Sequence, residues 1–163
     1  MPTSSELEPR LREFLDTLIR EGKFQLTYTL LHPSAETSAI PGMPQLVVDF
    51  EGADAGLLLA EEGDLLRSFE HLAFEALRLA ADEHDRLLLD CHHRRMLRIQ
   101  ELYTLAQMAA EQVTRSGRKY EFGPMSSRER RLIHLALRDV EGIVSQSDGL
   151  GPVRHVVIQP AKK

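Results

Sequence analysis

From Leu7 to Ile19 the apolar positions Leu7, Leu11, Phe14, Leu15, Leu18 and Ile19 recur at the helical period, and Gly22 marks the end of the helix they predict. The period then changes. Phe24, Leu26, Tyr28 and Leu30 alternate with polar residues, which predicts a strand over 24–30 with those four side chains on one face. His32 to Pro44 holds three prolines and a glycine and reads as a loop. Gln45 to Phe50 predicts a second strand, placed to pair antiparallel with the first across that loop. Gly52 to Gly56 turns the chain, and Leu57 to Leu59 leads into Ala60-Glu61-Glu62-Gly63. A helical run follows over Leu65 to Ala81, broken by Asp82-Glu83-His84-Asp85, and Arg86 to Asp90 predicts a third strand. His92 to Ser116 predicts a second long helix, with Met96, Ile99, Leu102, Tyr103, Ala106, Ala110 and Val113 as its apolar stripe and Gly117 as its stop. No internal repeat or low-complexity tract interrupts this order.

The last forty-odd residues carry the sharpest pattern. Lys119 to Phe122 alternates as a strand, with Phe122 on the core side and Tyr120 either packing beside it or offering a stacking platform. Ser126-x-x-Glu129 is a capping box, so a helix starts near Ser126. At 100° per residue, Ser127, Arg130, Arg131, His134 and Arg138 fall on one arc of that helix, and Leu132, Ile133, Ala136, Leu137 and Val140 on the other. One face is core and the opposite face is a basic strip with a histidine in it. A turn over Ser147 to Gly151 leads to a last strand carrying Arg154 and His155.

Composition narrows the classes. The 163 residues suffice for one domain or two small ones, and a compact chain of this size can bury roughly 70% of its unfolded surface. No apolar run approaches the ~20 residues of a membrane span, and the start MPTSSELEPR has no apolar segment of a secretory signal. A single cysteine, Cys91, excludes an intrachain disulfide and fits a reducing compartment, so a cytoplasmic location is expected. The net charge of −5 is unevenly spread. Residues 1–114 carry 10 Lys+Arg against 20 Asp+Glu, whereas residues 115–163 carry 10 against 5. A basic terminal module on an acidic body suits a polyanionic partner for that module.

The ordered set Tyr120/Phe122, Pro124-Met125, Arg130-x-x-x-His134, Ser147 to Gly151 and Arg154-His155-Val156-Val157-Ile158 resembles the R-three-H domain, a small single-stranded nucleic-acid-binding module. The earlier order α-β-β-α-α-β resembles a type II KH domain. Its run Asp54 to Leu66 is similar to the KH segment of the Jag family (SpoIIIJ-associated proteins, also called KhpB or EloR), which reads like DAGLLIGRRGETL. Leu89-Asp90, Arg95 and Arg98 also sit where that family has them. The resemblance covers roughly residues 10–160, and the additional N-terminal domain typical of the family is expected to be missing. It implies an α+β fold: a type II KH-like α/β sandwich over residues 10–92, a connecting helix over 93–117 and an R-three-H α/β module over 118–160.

The family pattern is altered at one place. A KH loop brings its backbone to phosphates through two glycines that flank two residues, often basic. Here Ala60 replaces the first glycine, Glu61 and Glu62 are the variable pair, and Gly63 alone is kept. A Cβ at Ala60 hinders close approach, and two carboxylates repel a phosphate, so this degenerate loop is expected to serve as scaffold or interaction surface. Alternatively, the two glutamates cap the helix that follows.

By resemblance, Arg130 and His134 contribute to nucleic-acid binding; Arg131, Arg154 and His155 complete the candidate set, with Arg131 and Arg154 either phosphate contacts or solvated surface. Arginine offers phosphate a planar fork and stacks on bases. For His134 a second reading stands equally: it hydrogen-bonds the neighbouring strand and holds the helix in place. Cys91-His92-His93 with His84 and Asp85 nearby matches no strong ligand spacing, so no metal and no cofactor are expected. No phosphate loop, dinucleotide loop or catalytic triad motif occurs, so no enzyme is expected. The leading expectation is a Jag-type binder of single-stranded RNA or DNA, RNA first, with no small-molecule substrate and no direct membrane insertion. The rival is a protein–protein adaptor that uses the acidic KH-like half, docking on another KH protein or a membrane-associated machine.

Overall fold

Two strips of alternating and helical pattern fold into two units, seen in a computed structural model that describes residues 4–161 and the side chains of 7–161. The polar start, Met1 to Thr3, expected to fray, lies outside the described residues. Unit 1 runs up to Ser38 and resumes over Met43–Met96; unit 2 takes Ala39–Gly42 and the chain from Leu97 on.

In unit 1, α1 (Ser4–Gly22) lays Leu7, Leu11 and Leu15 into the core, one residue per turn on one face. The sheet places β2 (Leu46–Glu51) in the centre, antiparallel to β1 (Thr27–Leu31) and parallel to β3 (Leu87–Cys91). A parallel pair needs a crossover, which α3 (Ala55–Leu59) and α4 (Asp64–Leu77) supply. A one-turn helix, α2 (Ala35–Ser38), forms inside the proline-rich loop. Phe24, Phe69, Phe50 and Tyr28 meet edge to face in succession, at centroid separations of 5.3, 6.1 and 6.2 Å. The order α-β-β-α-α-β is the one that the KH resemblance implies.

Two helix ends differ from the expected ones. The run predicted to reach Ala81 stops at Leu77, because Arg78 turns left-handed (φ 55°) and Leu79 N–H donates back to the Phe74 carbonyl at 3.0 Å. The second long helix, α5 (Arg94–Ser116), begins two residues later than expected, because His92 and His93 form a left-handed turn with φ of 54° and 57°. Buried Asp90 stands in for the cap. Its Oδ1 accepts the N–H groups of Cys91 (2.7 Å) and Arg95 (2.9 Å), and its Oδ2 accepts that of Met96 (2.8 Å). Nearby, Arg95 forks onto buried Glu70 at 2.9 and 3.1 Å and also donates to the Leu89 carbonyl, and Glu70 in turn accepts Leu89 N–H. Arg95 is therefore a brace between strand and helix.

In unit 2, α6 (Ser127–Leu137) packs beside a three-stranded antiparallel sheet in the order β4 (Tyr120–Glu121), β6 (His155–Pro160), β5 (Ile143–Asp148). The core faces of α6 and β6 supply Leu132, Ile133, Leu137, Val156 and Ile158. Gly42 sits against α6. A Cβ there would lie 2.6 Å from Leu132 Cδ2, and the left-handed backbone (φ 83°) disfavours any other residue.

Candidate nucleic-acid interface

The helix that carries the arginines starts where the capping box places it. Ser126 Oγ accepts Glu129 N–H at 3.3 Å, and Glu129 Oε2 accepts Ser126 N–H at 2.8 Å. Glu129 also receives the Arg98 guanidinium at 3.0 Å. Burial alone would raise the Glu129 pKa, but the Ser126 N–H and Arg98 outweigh it and hold the carboxyl below the usual range. At the far end of α6, Gln107 of α5 donates to the Ala136 carbonyl at 3.0 Å. The helix is thus held at both ends.

Arg130 reaches back to the turn ahead of its own helix. Its Nη1 donates to the Met125 carbonyl at 2.9 Å and its Nη2 to Ser127 Oγ at 3.0 Å. A guanidinium has five N–H donors, so two fix the side chain and three stay available. Met125 N–H donates to the Arg154 carbonyl at 3.1 Å, which ties the backbone of the β5–β6 connection to the same corner. Arg131 and Arg154 are exposed, and Arg154 precedes β6 rather than lying on it, because residues 151–153 form a turn of 3-10 helix first.

His134 sits one turn after Arg130, and both of its ring nitrogens are taken. Nδ1 lies 2.8 Å from Ser145 Oγ and Nε2 3.0 Å from Ser147 Oγ, both on β5. Burial, and next the nearby Arg130 charge, lower its pKa and favour the neutral ring. A neutral imidazole has one donor and one acceptor, and the two serines use both. Of the two readings of His134, the geometry is that of the brace.

His155 is not in this group. It pairs with Asp148 in the β5–β6 register, one step from the Ser147–Val156 pair, so its side chain takes the opposite face of the sheet. There its charge acts on Glu121, with Asp148 also near, and its Nδ1 lies 3.1 Å from the Val153 carbonyl. Arg130, His134 and Arg131 share α6, Arg154 is joined through Met125, and His155 lies across the sheet. Tyr120 and Phe122 meet edge to face at 5.0 Å, with Phe122 buried and Tyr120 half-buried beside it.

The altered loop of unit 1 has its own geometry. Ala60 is extended, Glu61 and Glu62 are both left-handed (φ 47° and 56°), and Gly63 (φ 82°) precedes α4. Both glutamates are exposed and neither caps a helix by its side chain. At the start of α4, Arg67 donates to the Glu62 carbonyl at 2.7 Å and pairs with Asp64. The histidines near Cys91 have ordinary partners. His84 stacks on Phe74 at 4.1 Å, and His93 pairs with buried Asp49 at 3.1 Å.

Sequence reading missed Ser145 and Ser147. Residues 145–148 are all polar, so no alternation in the sequence marks them; the structure half-buries Ser145 and Ser147 and exposes Gln146 and Asp148.

This is the architecture of a two-unit α+β protein whose second unit is a helix-on-sheet module braced by an Arg-x-x-x-His pair. The family model of the R-three-H domain matches residues 100–160. Relatives named "RNA-binding protein KhpB" align over most of the chain. The one from Clostridium symbiosum is 35% identical over 114 residues, 70% of this chain and 51% of that protein. The one from Bacillus subtilis (strain 168) is 32% identical over 109 residues, 66% of this chain and 52% of that protein. The one from Lactiplantibacillus plantarum is 30% identical over 111 residues, 68% of this chain and 34% of that protein. Over this aligned stretch the chain belongs to the Jag family. It spans about half the length of the first and second of these relatives and a third of the last. Among the described residues no helix is long and apolar enough to cross a membrane.

Proposed function

We propose that this chain binds single-stranded nucleic acid, RNA in the first place, through the α6 corner of unit 2. The observation that carries the reading is the coincidence of the R-three-H match over residues 100–160 with a preorganised basic corner at Arg130, Arg131 and Arg154. Relatives named as RNA-binding proteins support RNA over DNA. Arg130 holds the Met125 carbonyl with part of its fork and offers the rest to a phosphate oxygen. Arg131 and Arg154 add charge along the strand, and His134 keeps β5 in place beneath it. The role is binding rather than catalysis, in the cytoplasm.

A second reading rests on Glu61 and Glu62, which stand exposed in the altered loop. They repel phosphate and suit a basic protein partner, such as another KH protein or part of a membrane-associated machine.

Fluorescence anisotropy with labelled single-stranded RNA, at low and near-physiological salt, separates the two. The first reading expects salt-sensitive binding that Arg130→Ala weakens. No binding at low salt sinks it and leaves the adaptor reading.

A further inference from the structure

The connection from β5 to β6 carries apolar side chains in an unusual setting. Leu150 is 84% exposed, the most exposed large apolar residue among those described, and Val153 nearby is 60% exposed. The loop that bears them is tied by its own hydrogen bonds. Gly149 (φ 82°) and Gly151 (φ 54°) take conformations that L side chains rarely adopt, and Pro152 lies between the two apolar residues. Gly149 N–H donates to Asp148 Oδ1 at 2.7 Å, and Arg154 N–H to the Gly151 carbonyl at 3.2 Å. The loop closes tightly, since a Cβ on Gly149 would lie 3.1 Å from the Val153 carbonyl oxygen. Two bare aliphatic groups are therefore presented on a loop that its own hydrogen bonds and Pro152 hold together.

Their neighbours indicate the ligand. Arg154, exposed at the end of the loop, has no side-chain hydrogen bond or ion pair to another described residue. Its carbonyl is held by Met125 N–H, and Met125 offers its own carbonyl to Arg130. One residue thus couples the apolar tip to the cationic corner. A ligand that matches both carries phosphates and flat apolar faces on one chain.

We propose that Leu150 and Val153 form a base-contacting tip: they lie against the faces of unpaired nucleobases while Arg130 and Arg154 hold the neighbouring phosphates. This rests on the reading of the α6 corner as a nucleic-acid interface. The faces of bases are covered by stacking in a duplex, so the tip selects unstacked single strands. Aliphatic contact with a base face carries no hydrogen-bond code, so it discriminates little between sequences.

The test titrates the full chain with a labelled mixed-sequence single-stranded RNA and with an abasic phosphodiester strand of equal length. Wild type should prefer the base-bearing strand by about tenfold, the scale of burying two aliphatic side chains in part. Leu150→Ser with Val153→Ser should abolish that preference and leave abasic binding, the salt dependence and the melting temperature unchanged. Leu150→Tyr, which enlarges the contact face, should strengthen binding to the base-bearing strand alone. If wild type binds RNA and the double variant keeps the full preference, the proposal is overturned and the interface reading stands. If wild type binds neither strand, the interface reading falls and takes the tip with it. A double variant that binds RNA normally but no longer co-sediments with anionic phospholipid vesicles also overturns the proposal and assigns the tip to a lipid surface.

Discussion

Replacing His134 with alanine separates a brace from a ligand contact. The ring spans Ser145 and Ser147 at 2.8 and 3.0 Å, and a neutral imidazole has nothing left to donate. Two neutral hydrogen bonds are worth about 1 kcal/mol each in net stability, so His134→Ala should cost about 2 kcal/mol. The serines are half-buried, so water can reach them, and the full penalty for orphaned groups does not apply. Urea unfolding of four proteins measures this: wild type, His134→Ala, Ser145→Ala with Ser147→Ala, and the triple variant. Once the serines are gone the histidine has nothing to brace, so the coupling energy should be about 1–2 kcal/mol. At a temperature where each variant is folded, His134→Ala should leave the salt slope of RNA binding unchanged. A stable His134→Ala protein with no coupling to the serines, yet with binding abolished, would refute the reasoning and make the ring a direct contact.

Other expectations follow from the same geometry. Arg130→Ala should weaken RNA binding about equally for all sequences and reduce the salt slope by roughly one, read by anisotropy across salt. The folded-state pKa of His134 lies below its ordinary 6.5, so between the two values the unfolded chain binds more protons. Its contribution is therefore full above about pH 6.5 and is lost as pH falls through the lowered value; thermal melts of wild type and His134→Gln should converge on acidification. Arg95→Ala leaves the Glu70 carboxylate buried without its cation and should cost about 3 kcal/mol by urea unfolding, with Arg95→Lys milder. Gly149→Ala forces a side chain into a left-handed position against the Val153 carbonyl, and should cost about 1–2 kcal/mol and loosen the tip, read as faster amide exchange at Arg154.

Periodicity carried most of the fold. The apolar stripes placed α1, α5 and α6 and alternation placed β1, because the pattern records which face packs inward, whereas β2 is a continuous run buried on both faces. Ends were less legible. Nothing in the order of residue types says that Arg78, His92 and His93 turn left-handed; Arg78 closes its own helix end without a glycine, and His93 N–H is held by Asp49, distant in the chain, at 2.9 Å. Arg130 and His134 stood out by their spacing, whereas their partners did not. Ser145 and Ser147 are eleven and thirteen residues beyond His134, and only the sheet brings them under the ring. Grouping His155 with the arginines failed to account for a parity: one step along a strand exchanges one face of the sheet for the other.

The histidine that bridges two serines has a consequence for how this sequence can change over time. Strand β5 has polar residues at inward positions 145 and 147, so greasy contacts do little to tell it where to stop sliding along β6. The ring does that instead, because its two nitrogens match hydroxyls spaced two residues apart and would meet Val144 and Gln146 after a slip of one. Positions 134, 145 and 147 are therefore bound to a shared fate: a descendant that exchanges the histidine for an aliphatic residue loses the tie that fixes this register, and change at the three positions is expected to be coupled.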